Sequence, residues 1–303
     1  MFLNLRPTYE EKKMRRKLLF SVFSVMVMLA MAVSPVYAIT GNFVEDDVHD
    51  YVGLVVFYDA EGEFLWRCTG TLISNWTLLT AGHCADTEGG AVTARVYFQQ
   101  DAGANYDPET QIDPVTGYPE YCAAGTEGTL CFEASTILNY DYPGSLRLPN
   151  THDVGLVILD EPADLGYAQL PEENFLNQFA TARGTQDVLF TVSGYGLTYK
   201  NQLQNGKPNV SFRERLMAEA TLVNLNSALN AGFNLQTSGN GAGKGGTCNG
   251  DSGGPVFFGG LESESDLIVA VTSFGLNALC RGTDFAYRID QPDVLAWIYE
   301  NMK

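Results

Sequence analysis

Three residues in this chain have the types and settings needed for acyl transfer, although they are far apart in sequence. Ser252 stands in Gly250-Asp251-Ser252-Gly253-Gly254-Pro255, where glycines on both sides let the backbone turn sharply and let a substrate reach the hydroxyl unobstructed. His83 stands in Thr80-Ala81-Gly82-His83-Cys84, at the end of an apolar run and beside a cysteine able to clamp its loop. A bridge from Cys84 to Cys68 would close that loop, contribute on the order of 3 kcal/mol by chain entropy and hold the imidazole. Asp153 immediately precedes the apolar run Val154-Gly155-Leu156-Val157-Ile158-Leu159. A carboxylate at the mouth of a buried strand needs a partner, and the second N–H of an imidazole supplies one. Asp160, followed by Glu161 and Pro162 at the far end of the run, reads as a solvated turn residue.

The hexapeptide around Ser252 also satisfies the G-x-S-x-G pattern of α/β-hydrolases, in which the histidine follows the serine. Here the last histidine is His152, well before Ser252, so chain order argues against that fold.

The elements that must position these groups read as short strands at 51–58, 64–73, 77–80, 92–98, 154–159, 188–192, 218–223, 256–258, 267–273 and 285–289, punctuated by Gly, Asn, Asp and Pro. Many short strands without intervening helices indicate an all-β barrel or sandwich. One helix is expected at the end of the chain, started by Pro292 and Asp293, with Val294, Trp297 and Ile298 on one apolar face. Residues 99–150, rich in Asp, Gly, Pro and Tyr, read as a long surface excursion, and 234–246 as a Gly-rich loop.

The 303 residues begin with a basic stretch (Lys12, Lys13, Arg15, Arg16, Lys17), then an apolar run from Leu18 to Ala32 and the small-residue stretch Ser34-Pro35-Val36-Tyr37-Ala38. That is the pattern of a secretory signal peptide over residues 1–38, too short in its apolar run for a stable membrane anchor. Cleavage is expected after Ala38 or after Ala32. Its removal leaves 12 basic against 34 acidic residues, a net charge of −22, which disfavours nucleic acid as a partner. Six cysteines behind an export signal indicate an oxidising compartment; they permit 15 pairings, of which spacing favours nearest neighbours. No CxxC pair is present, and His49, His83 and His152 are scattered, so no metal site is expected.

His83, Asp153 and Ser252, in that order and in those contexts, resemble the chymotrypsin/trypsin family of serine proteases, and the likeness spans nearly all of the chain after the signal. Gly194-Tyr195-Gly196 is similar to the family's Gly-Trp-Gly at the join between its barrels. Thr272-Ser273-Phe274-Gly275 is similar to its substrate-pairing strand, with Phe274 where Trp is usual. The resemblance implies two six-stranded antiparallel β-barrels and a C-terminal α-helix: residues 39–175 in the first barrel, with an insertion at about 99–150, and 176–303 in the second.

It further implies a secreted or periplasmic, monomeric endopeptidase acting on proteins or peptides without a cofactor, its oxyanion hole formed by the amides of Gly250 and Ser252. The bridges would be Cys68–Cys84 and Cys248–Cys280, with Cys122–Cys131 a clasp outside the family pattern. Gly246 stands where trypsin-like enzymes carry a pocket Asp; Asp284 faces either that pocket from its other wall or solvent. By the same resemblance, Ile39 freed as a new amino terminus would pair with Asp251. A triad-bearing binding or adhesion protein without turnover, and an esterase using the same triad, are the competing readings.

Overall fold

The computed structural model describes residues 39–303 apart from 103, 105–110, 114–116, 120, 123–129, 181–186, 198–212, 241–242, 277–279 and 281. The expected signal segment therefore lies outside the described residues. The first strands are β1 (Thr40–Gly41), β2 (Phe43–Glu45), β3 (Val52–Tyr58), β4 (Phe64–Leu72), β5 (Thr77–Thr80), β6 (Thr93–Tyr97), β7 (Cys131–Ala134), β8 (Thr136–Asn139) and β9 (Gly155–Ile158). β3 is buried at every position, as its uninterrupted run of apolar residues requires. Its turn into β4 is tied by Asp59, whose Oδ1 accepts the amides of Glu61 and Glu63.

Antiparallel pairing in the order β7-β6-β3-β4-β5-β9-β8 builds the first sheet. Only Ser135 separates β7 from β8, and these pieces pair with β6 and β9 respectively. The sheet thus closes as a barrel of six with one broken member. β7 and β8 lie inside what reads in sequence as a continuous excursion; their four-residue length and interruption at Ser135 leave little alternation to recognise.

The rest of the chain supplies β10 (Leu189–Gly194), β11 (Leu216–Asn224), β12 (Asn234–Ser238), β13 (Gly245–Gly246), β14 (Pro255–Phe258), β15 (Ile268–Gly275), β16 (Thr283–Arg288) and the helix α1 (Pro292–Asn301). The order β10-β14-β15-β16-β12-β11 is closed by a β10–β11 pairing, giving the second barrel. β12 corrects the expectation of a loop from 234 onward. Its polar side chains hide a strand that pairs with β11 and β16 through backbone alone, and the glycines begin only after it. β2 also joins this sheet, with Phe43 opposite Ala218, and β1 pairs with β13. Residues 40–45 therefore lie on the second barrel before the following strands form the first. Three disulfides are present: Cys68–Cys84, Cys122–Cys131 and Cys248–Cys280.

Each barrel has an apolar core, and the first core extends across the junction to take in Tyr195, Phe257, Tyr287 and the α1 residues Val294 and Ile298. Polar contacts fasten the same junction. The Tyr195 hydroxyl donates to the Gln99 carbonyl at 2.7 Å. Arg215 is 4 % exposed, and its guanidinium donates to the carbonyls of Asp46, Val52 and Phe98 at 2.9–3.1 Å. Three carbonyls from the first barrel and its entrance are thereby satisfied by one side chain of β11's approach. Arg215→Ala leaves all three buried without that donor, so urea denaturation is expected to show a loss of about 3 kcal/mol relative to wild type.

Candidate active site

His83 follows β5 in a tight turn held by amides of Cys84 and Ala85 donating to the Ala81 carbonyl. Gly82 is obligatory here: a Cβ would stand 2.9 Å from Tyr142 and 3.0 Å from the His152 carbonyl. Asn139 pins the loop from outside, donating to the carbonyls of Gly82 and Ala85. The Trp66 indole donates to the carbonyl of Cys84. Neither Asn139 nor Trp66 is signalled by any motif; both act through contacts that only the fold creates.

Asp153, 1 % exposed, stands just before β9. It accepts the His83 amide at 2.7 Å and lies 2.9 Å from the His83 Nδ1. Ser273, expected only as part of a substrate-pairing strand, directs its hydroxyl to the same carboxylate. Burial alone would raise the Asp153 pKa, but the His83 charge and the hydrogen bonds from His83 and Ser273 outweigh it and hold the carboxyl below its ordinary range. Burial would likewise depress His83. The adjacent Asp153, with Asp86 behind it, reverses this, and the imidazole pKa is raised above 6.5.

Ser252 stands in the turn three residues before the second barrel's β14. Its carbonyl accepts the Thr69 amide at 2.8 Å and lies 3.7 Å from the Cys84 Sγ, so its backbone is registered against the His83 loop. Cys68, Cys84 and His83 cluster closely, but the two sulfurs are bonded to each other and provide no thiolate for a metal.

Beside Ser252 is a cavity of about 270 Å³ lined by Thr247, Cys248, Asn249, Ser273, Phe274, Gly275, Leu276, Cys280 and Asp284, among others. Phe274 is stacked on Phe285, with ring centroids 4.6 Å apart. Asp284 lines the cavity rather than facing away from it. Its Oδ2 accepts the Thr247 amide at 2.9 Å, and a Cβ on Gly246 would stand 2.6 Å from the same oxygen. Burial raises its pKa to about 6, against the lowering effect of Thr247.

Asp251 is fully buried, and its carboxylate accepts amides of Cys248 and Gly196 at 2.8 and 2.7 Å. A Cβ on Gly194 or Gly196 would fall within 2.4–2.5 Å of that carboxyl group, which is why glycines flank Tyr195. Burial, reinforced by the Asp284 charge, lifts its pKa to about 7 despite the two amides. Among the described residues, no cation pairs with Asp251 or Asp284. Ile39 is fully buried in the second barrel's core.

A family model described as Trypsin matches residues 49–298. The chain is similar to Serine protease 7 of Drosophila melanogaster, 27% identical over 275 residues that cover 87% of this chain and 64% of that protein. It is also similar to CLIP domain-containing serine protease B9 of Anopheles gambiae, 23% identical over 270 residues covering 87% and 62%. The match thus spans a little under two thirds of each relative. Solved structures of like fold include HL collagenase, with a TM-score of 0.58, 19% identity and coverage of 87% of this chain and 97% of that one. A mutant of human heparin binding protein gives 0.59, 22%, 88% and 98%. An inactivated protease paralogue of the scabies mite gives 0.53, 17%, 86% and 98%.

The raised Asp251 pKa has a measurable sign. A folded-state pKa of about 7 against an unfolded value of 3.8 means that the unfolded chain loses the proton first, so stability falls as pH rises through that window. With residues before Ile39 retained, wild type is expected to lose up to about 4 kcal/mol more than Asp251→Asn between pH 4 and 7 in chemical denaturation.

Proposed function

Because the chain belongs to the trypsin family of serine proteases, we propose that it is a secreted serine endopeptidase with Ser252 as nucleophile, His83 as general base and Asp153 as the group that orients the imidazole. The observation that carries this reading is the buried Asp153 carboxylate bonded to both the His83 Nδ1 and the Ser273 hydroxyl, which leaves the His83 Nε2 as the ring nitrogen available to take a proton. Ser252 Oγ attacks the scissile carbonyl while His83 removes its proton. The amides of Gly250 and Ser252 receive the charge that develops on the carbonyl oxygen. His83 then returns the proton to the leaving amine, and water hydrolyses the acyl-enzyme by the same route.

The cavity beside Ser252 is the proposed binding site for the side chain preceding the scissile bond. Gly246 leaves room beside Asp284, so a basic side chain meets the carboxylate and large apolar ones are also admitted. Activation is proposed to follow release of the Ile39 amine, which would supply the cation that Asp251 lacks. Burial of Ile39 and the pairing of Thr40 with Gly246 support this by holding the segment against the loop that leads to Asp251. A form beginning at Ile39 should then lose the pH dependence assigned to Asp251 above. The signal pattern and the three disulfides support export.

Two outcomes test the assignment. Ser252→Ala and His83→Ala each should lower casein hydrolysis by roughly 10⁴-fold or more with the fold retained. In the wild type, kcat/KM should rise with pH through a pKa above 6.5, since only neutral His83 acts as base. Fluorophosphonate labelling lost in Ser252→Ala checks the nucleophile, and near-normal casein cleavage in either variant refutes the mechanism.

Specificity is tested with paired peptides. Cleavage after Arg relative to Leu should increase as pH rises through about 6, where Asp284 ionises. Asp284→Ala should abolish both the basic preference and its pH dependence. A flat ratio in the wild type excludes Asp284 from substrate recognition.

A further inference from the structure

Building on the peptidase reading above, we infer that Thr69 is a positioning residue for the oxyanion-hole amides, its hydroxyl fixing the orientation of Gly250. Gly250 has φ +99°, and without a side chain the peptides on either side of it rotate at little steric cost. The conformation of Gly250 therefore depends on what anchors the two peptide planes it joins, one holding its N–H with the Asn249 carbonyl and the other holding its own carbonyl with the Asp251 N–H. Each plane is trans, so its N–H points opposite to its C=O.

The Asn249 carbonyl accepts the Leu197 amide at 2.9 Å, which turns the Gly250 N–H away from Leu197. On the other side of Gly250, its own carbonyl accepts the Thr69 Oγ1 at 2.9 Å. The polarity of that bond is determined, because Oγ1 also accepts the Tyr195 amide at 3.1 Å and so has its single proton left for Gly250.

Thr69 is fully buried within the first barrel's β4, opposite Leu54 of β3, and its hydroxyl reaches across to the nucleophile loop and Tyr195. Its amide donates to the Ser252 carbonyl, and its own carbonyl accepts the Thr80 hydroxyl at 2.8 Å. A Cβ on Gly254 would stand 3.2 Å from its methyl group. One residue of the first barrel thus registers both residues whose amides are proposed to meet the oxyanion, one through its backbone and the other through its hydroxyl.

The test compares Thr69→Val, which removes the hydroxyl at nearly constant shape, with Thr69→Ser, which keeps it. Peptide-amide kinetics are measured at equal folded concentration. Inhibition is measured for a peptide aldehyde, which forms a tetrahedral adduct, and for the matching carboxamide, which does not. T69V is expected to lower kcat by about 10- to 100-fold with KM within about threefold, to weaken the aldehyde in proportion and to leave the carboxamide unchanged. T69S should stay within about threefold of wild type. Should T69V not fold, Thr69→Ala carries the same expectation.

Equal losses in T69S and T69V, or parallel loss of aldehyde and carboxamide binding, would overturn the role. An active wild type matched by T69V removes the positioning role alone, whereas a wild type that hydrolyses no peptide removes the peptidase reading and this role with it.

Discussion

The loop that carries Ser252 is built over a fully buried carboxylate that, among the described residues, is answered by amides alone. Asp251 accepts from Cys248 within its own loop and from Gly196 at the end of the connection between the barrels. Its volume excludes any side chain at 194 or 196, so the sequence on either side of Tyr195 is dictated by a residue more than fifty positions away. Tyr195 is then free to span the junction and bond to Gln99 of the first barrel. Burial of one charged group thus sets the composition of the interbarrel connection and the geometry of the residue next to the nucleophile. An isolated buried carboxylate would be costly, and two amides reduce that cost without removing it.

Three carboxylates near the site, Asp153 and Asp251 buried and Asp284 half-buried, differ because their counter-charges differ. Asp153 has an imidazole and a hydroxyl and is held below the ordinary range. Asp284 has the Thr247 amide and opens on a cavity, and its pKa is raised to about 6. Asp251 has amides only and is raised further, to about 7. The order follows the supply of positive charge rather than depth alone: Asp153 is as inaccessible as Asp251, yet the two shift in opposite directions. Asp46 behaves like Asp153, since His49 and Ser193 outweigh its burial. In a chain with twice as many acids as bases, local pairing decides which carboxylates stay ionised.

His83, Asp153 and Ser252 stand out in the sequence as candidates because each stands in a short local context: a clamped loop, the mouth of an apolar strand, a glycine turn. The barrel class was legible for the same reason, since apolar runs of four or more residues mark strands such as β3 and β15. What escaped was either polar or short. Asn234–Ser238 forms a barrel strand through its backbone while presenting Asn, Gln, Thr and Ser, and β7 and β8 are halves of one strand broken at Ser135. The second use of Ser273 escaped as well, because nothing in its context shows that its side chain faces Asp153 rather than substrate. The side of the strand to which Asp284 belongs was undetermined in sequence. The pairing of Thr237 with Asp284 and the bond from Thr247 resolve it, since both depend on register.

The order of elements along the chain also ties the beginning of the molecule to its centre. Residues 40–45 precede the first barrel in sequence but lie on the second, and the turn that follows them buries Asp46. That carboxylate takes the His49 ring and the hydroxyl of Ser193, while the Asp46 carbonyl takes Arg215. Ser193 is the residue before Gly194, where a Cβ would stand 2.4 Å from the Asp251 carboxylate. A shift of the entering segment therefore reaches Asp251 through two consecutive residues of β10, in addition to the pairing of Thr40 with Gly246. Two independent routes from the start of the chain converge on the loop that carries Ser252. They meet at Asp251, a buried carboxylate with no cationic partner among the described residues, so a displacement of residues 39–46 acts on a group whose charge only amides offset.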